Sequence, residues 1–82
     1  MKRKTANLKP KDRKTSLQKS FGSFVRARRT QLGLSQEELA QKADMHFTYV
    51  SSTERGERNI SLVNIAKLAN ALECSMKDLM PK

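Results

Sequence analysis

Along the chain, polar and apolar positions fall into a long polar stretch followed by short runs of helical period. Residues 1–16 are polar and cationic, with Leu8 as their only large apolar side chain besides the initial Met1. Such a stretch buries too little surface to offset its ordering entropy, and it reads as a disordered basic tail. From Leu17 the pattern changes. Phe21, Phe24, Val25, Arg28 and Leu32 recur at spacings of three and four, which predicts a helix over 17–32 stopped by Gly33.

Ser35 and Glu38 form a capping-box pair that opens a second helix, with Leu39, Ala40 and Ala43 as its apolar side. About two turns later, Asp44 and Met45 interrupt it. A third helix is predicted from Phe47 to Arg55, with His46 as N-cap, Val50 and Glu54 inward, and Gly56 as its stop. Ser61 caps a fourth helix whose inward side reads Leu62, Ile65, Ala66, Ala69 and Leu72. Ser75 caps a short fifth helix that ends near Met80, before Pro81. The expectation is an all-α fold, a compact five-helix domain over 17–82 behind the tail of 1–16.

Composition narrows the classes. The hydrophobic fraction is 37%, Gly and Pro number three and two, and Phe21, Phe24, Phe47 and Tyr49 are the aromatic residues. That balance favours helices over a sandwich or barrel. At 82 residues the chain suits one domain with a modest core, which association with a second copy would help to stabilise. One cysteine, Cys74, leaves no partner for an internal disulfide or a cysteine-based zinc finger, and it reads as a small apolar residue. No apolar run approaches the roughly 20 residues of a membrane span, nor does the basic start carry a signal peptide's apolar stretch. A cytoplasmic setting is expected, with no membrane partner.

Charge points to a polyanion. The formal net charge is +9, of which residues 1–20 hold +7 and residues 21–82 only +2. The folded part must therefore bind by local placement of its groups. Within it, Gln36 to Arg55 carries the informative spacing. Two short helices meet through a tight turn, Ala40 is small where they pack, and Met45 plugs the turn, which describes a helix-turn-helix. In that motif the second helix enters the major groove of DNA, and here its outward side offers Thr48, Tyr49, Ser51, Ser52 and Arg55.

The segments VRARRTQLGLSQEELAQKA, MHFTYVSSTERGERNISL and VNIAKLANALECSMKDLM, over residues 25–80, resemble the lambda-repressor-like family of small DNA-binding domains, the Cro and XRE type. The run TYVSSTERGERNISL is similar in particular to controller proteins of restriction–modification systems. The resemblance implies a regulator that binds double-stranded DNA as a two-fold homodimer on a near-palindrome, autoregulatory in the controller case. Such a regulator would repress by blocking RNA polymerase, or activate where one of its surfaces touches polymerase. It implies that Gln36 contacts phosphate and braces the third helix. Phe47, Thr48, Tyr49, Ser51 and Ser52 would face bases and adjoining phosphates, and Arg55, Arg58 and Asn59 the backbone. Leu72, Met76 and Leu79 would lie at the dimer interface, and Arg29 with Glu54 would form a structural ion pair. Controller-type relatives often carry arginine where this chain has Phe47. Arginine reads guanine bidentately and phenylalanine cannot, so the preferred operator would differ there.

Plainer readings stand beside these. Phe47 also suits a hydrophobic staple, Tyr49 a half-buried packing role, and Thr48 and Ser52 ordinary solvated positions. His46 has no second His or Cys at ligand spacing, so no metal is expected. The basic tail reads as an arm for nonspecific phosphate contacts, as an arm ordered in a groove, or as a cloning remnant or membrane-surface segment. No nucleophile–base pair or phosphate-cradling glycine loop marks an enzyme, and no cofactor is expected. Alternative functions are a phage-type repressor and an antitoxin-like interaction module.

Overall fold

A computed structural model describes residues 15–80, which form five helices and no strand; most of the basic tail, residues 1–14, lies outside the described residues. Helix α1 covers Ser16–Gln31 because Thr15 starts it: the Thr15 hydroxyl accepts from the Gln18 amide, and the Gln18 side chain accepts from the Thr15 amide at 2.9 Å. Thr15 and Ser16 therefore belong to the helical domain and not to the preceding segment. Helices α2 (Gln36–Lys42), α3 (Phe47–Glu54), α4 (Leu62–Ala71) and α5 (Met76–Leu79) follow, capped by Ser35, His46, Ser61 and Ser75. The α5 cap holds the Asp78 carboxyl below its ordinary range, because the Ser75 backbone and side chain hydrogen-bond to it. A depressed carboxyl pKa contributes stability at neutral pH that is lost as the pH falls through that lowered value.

Four of the helices end alike. After α1, α2, α3 and α4 the chain turns through a left-handed residue, and two backrunning amide bonds close each end. An example is Met45 N to Ala40 O at 2.9 Å beside Asp44 N to Gln41 O at 3.2 Å. Gly33 and Gly56 occupy the turn after α1 and α3, whereas Asp44 and Glu73 adopt φ of 55° and 59° after α2 and α4. A side chain with Cβ is strained there. Glu73→Gly is expected to raise stability by about 0.5–1 kcal/mol, seen as a melting temperature higher by a few degrees.

The core gathers Phe21 and Val25 from α1, Leu39 and Ala40 from α2, and Val50 from α3. Ile65, Leu68, Ala69, Ala71 and Leu72 join it from the α4 region and Leu79 from α5. Each fully buried Leu or Val is worth about 1.5–3 kcal/mol relative to exposure. The observed inward face of α4 differs from the one its pattern suggests. Leu62 is 72% exposed and Ala66 is also exposed, while Leu68 and Ala71 take the buried places. Phe24 of α1 likewise points outward. Arg28, from the same α1 stripe, is bound to backbone: its Nε donates to Leu72 O at 2.9 Å and its Nη2 to Glu73 O at 3.2 Å, which satisfies carbonyls at the end of α4.

Candidate nucleic-acid interface

Helix α3 is fixed on two sides. Val50 and Thr53 are buried against the core. Glu54 receives the Arg29 guanidinium as a fork, Nε to Oε2 at 2.6 Å and Nη2 to Oε1 at 3.0 Å, while Arg29 Nη1 donates to Leu34 O at 2.7 Å. Gln36 Nε2 adds a third donor to the Glu54 carboxylate at 2.9 Å. The Glu54 and Arg29 side chains are only 3% and 11% exposed, and the carboxylate bond holds the arginine pKa above even its ordinary value. One glutamate at the end of α3 thus ties it to α1 and to the first turn of α2.

The other side of α3 is open. Phe47 is 42% exposed, Thr48 is exposed, and Tyr49 and Ser51 are half-buried. Arg55 is exposed; its Nη1 donates to Ser51 Oγ at 2.6 Å and its Nε lies 3.1 Å from Glu57 Oε1. The exposed Arg58 and Asn59 follow in the loop, with the Arg58 guanidinium 4.5 Å from the Tyr49 ring centroid. The structure therefore brings Phe47, Thr48, Tyr49, Ser51, Arg55 and Arg58 to one surface, next to the turn after α2, where half-buried Met45 packs against the core.

Two expectations on site residues need correction. Ser52 does not face outward: it is 7% exposed, its hydroxyl lies 2.9 Å from Thr48 O, and it accepts from Arg58 Nε at 2.7 Å. Leu72 and Leu79 are each 0% exposed and belong to the core, so neither can face a second chain without local unfolding. Of the three expected interface residues only Met76 reaches the surface. Sequence reasoning also passes over Gly22, where an added Cβ would sit 2.3 Å from Thr53 O and 2.8 Å from Glu54 O. Glycine inside a helical stretch is the available signal, since it weakens a helix and asks for a packing reason.

Other chemistry is sparse. Among the described residues no group of three His, Cys, Asp or Glu side chains could hold a metal ion, and no helix is long and apolar enough to cross a membrane. Cys74 is a half-buried free thiol whose pKa is pushed up by burial and by Asp78, which disfavours the reactive thiolate.

Comparison with known proteins agrees with this geometry. The helix-turn-helix family model matches residues 25–79. Control protein C.BamHI of Bacillus amyloliquefaciens is 49% identical over 61 residues, spanning 73% of this chain and 75% of that protein. The crystal structure of the restriction-modification controller protein C.AhdI from Aeromonas hydrophila superposes with a TM-score of 0.74 at 48% identity, over 76% of this chain and 94% of that one. SinR, a master regulator for biofilm formation solved in complex with DNA, aligns with a TM-score of 0.69 at 33% identity, over 72% and 95% of the two chains.

Proposed function

The chain belongs to the helix-turn-helix family of DNA-binding transcription regulators, which is not an enzyme family, and from that premise we propose how it reads DNA and what it controls. The protein is a DNA-binding transcription regulator related to restriction–modification controllers. Its α3 enters the major groove with Phe47, Thr48 and Tyr49 toward base edges. Ser51, Arg55, Arg58 and Asn59 meet phosphates along the groove wall, and Gln36 braces α3 from α2 and meets phosphate at the α2 start. The observation that carries this reading is the division of α3: its inner side is locked by Val50, Thr53 and Glu54, and its outer side holds short polar and planar groups that the core does not use. Base contacts give specificity and phosphate contacts give register. Phe47 has no hydrogen-bonding group and meets a thymine methyl.

Two copies act together. A second copy covers the α4–α5 surface, where Met76 stands at the start of α5 and Leu62, Val63 and Ala66 crowd the first turns of α4. Exposed apolar residues so close in sequence favour a protein partner over water. The pair would set its two α3 helices about 34 Å apart, in successive major grooves of a near-palindrome. The protein acts in the cytoplasm, and its operator lies before its own gene and a restriction–modification gene. There it represses by covering the polymerase site, or activates where a surface touches polymerase. The basic residues of 1–14 add phosphate contacts that do not depend on sequence.

Thr48→Ala with Tyr49→Ala tests the α3 assignment. Operator affinity is expected to fall by about 10- to 100-fold, of order 1–3 kcal/mol, while far-ultraviolet circular dichroism and nonspecific binding stay close to wild type. Unchanged operator affinity would remove α3 from base reading.

A further inference from the structure

Ser52 has no access to DNA, yet its hydroxyl is fully engaged. It lies 2.9 Å from Thr48 O and 3.2 Å from Tyr49 O, so its proton is directed at the helix backbone and a lone pair is left for Arg58 Nε at 2.7 Å. Arg58 reaches this point because Gly56, at φ 77°, reverses the chain after α3 and lets the loop fold back on the helix. The same guanidinium lies over Tyr49, one turn before Ser52 on α3, at 4.5 Å from the ring centroid. Two independent contacts to one helix hold this otherwise exposed arginine.

The consequence is geometric. A guanidinium offers two edges for bidentate pairing, one made by Nε with an Nη and one made by the two Nη groups. Ser52 occupies Nε, and Tyr49 covers a face of the plane. The Nη1–Nη2 edge remains, and no hydrogen bond to it is formed among the described residues. An arginine ordered before binding also loses less rotamer freedom on binding.

We infer that Ser52 is a positioning residue of the DNA interface, whose hydroxyl locks Arg58 against Tyr49 so that the two Nη groups meet a backbone phosphate. This rests on the DNA-binding reading above, and it replaces the expectation that Ser52 itself touches DNA. Ser52 acts only through Arg58, so its effect vanishes when Arg58 is absent or lacks an Nε–H.

The test titrates the full-length protein, in several salt concentrations, on a fluorescein-labelled duplex recovered by selection from a random-sequence pool. Arg58→Ala is expected to weaken binding by about 10-fold and to reduce the log–log salt slope by about 0.9, the value of one phosphate contact. Ser52→Ala should weaken binding by about 3- to 5-fold, the worth of one net hydrogen bond, and by less than ~1.5-fold in the Arg58→Ala or Arg58→Lys background. Arg58→Lys should keep the salt slope of wild type, because the charge is retained. Equal Ser52→Ala losses in every background, or no loss in any, would overturn the inference while leaving DNA binding standing. A wild-type protein that selects no duplex would instead refute the DNA reading. In that event the Arg58 Nε–H nuclear magnetic resonance signal of the free protein decides: a distinct, slowly exchanging signal that averages after Ser52→Ala supports the lock, and a signal already averaged in wild type overturns it.

Discussion

Gly22→Ala is expected to destabilise the protein by about 2–3 kcal/mol, lowering the melting temperature by roughly 10–20 °C. In a helix interior the same change ordinarily helps, by about 1 kcal/mol, because alanine is the better helix former. Here the new methyl carbon would stand 2.3 Å from Thr53 O and 2.8 Å from Glu54 O. Both are backbone atoms of α3, so no side-chain rotation relieves the clash, and α1 must move away from α3. Overpacking against a rigid wall typically costs 1–3 kcal/mol and here takes the upper end or more, about 3–4, which outweighs the gain in propensity. Separation would also stretch the Arg29 fork to Glu54. Gly22→Ala should therefore lose operator affinity as well as heat resistance, whereas alanine at exposed Ser20 of the same helix should do neither. A thermal melt with a parallel binding titration checks both effects.

Glu54→Ala is expected to cost about 3–5 kcal/mol, the range for breaking a buried ion pair by removing one partner. Three donors converge on this carboxylate, two from Arg29 and one from Gln36. Truncation leaves a mostly buried guanidinium with only Leu34 O and takes from the half-buried Gln36 amide its Glu54 acceptor. An unpaired buried charge is worse than no charge at all, so Glu54→Ala with Arg29→Met should recover part of the loss. In urea denaturation the single variant should unfold at a much lower midpoint with an unchanged slope, and the double variant should fall between. Equal midpoints for wild type and Glu54→Ala would mean that the fork contributes nothing to the fold.

The local signals of this fold were legible because they depend on neighbours in sequence. Ser35 with Glu38, His46, Ser61 and Ser75 mark helix starts, and Gly33 and Gly56 mark stops, each through a bond or a backbone angle within a few residues. The Thr15–Gln18 box belongs to the same class but sits at the end of a cationic polar run that masks it. The partition of α4 was not legible. Leu62, Val63, Ile65, Ala66, Leu68 and Ala69 are apolar nearly all round, so period alone cannot say which side meets the core. The position of α5 against α1 and α4 settles it by burying Leu72 and Leu79.

At the candidate site, the open side of α3 could be read from residue type, but Ser52 could not. It stands three residues after Tyr49, at the border between the outward and inward sides, where a small tilt of the helix decides exposure. Arg58 resolves the matter from outside the helix, through a loop whose path a local pattern does not predict. Gly22 was hidden for a related reason, since its partner carbonyls lie on α3, over 30 residues away in sequence.

The most direct test of sequence-specific DNA binding by α3 is a fluorescence-anisotropy titration across several salt concentrations. It compares duplex DNA from immediately upstream of the protein's own gene with a scrambled duplex of equal length. The account predicts saturable binding to the upstream duplex at least about 1,000-fold tighter than to the scrambled one, a gap typical of specific over nonspecific sites, on a sequence with two-fold symmetry. Equal, steeply salt-dependent binding to both duplexes would contradict it, because phosphate attraction alone would then carry the interaction.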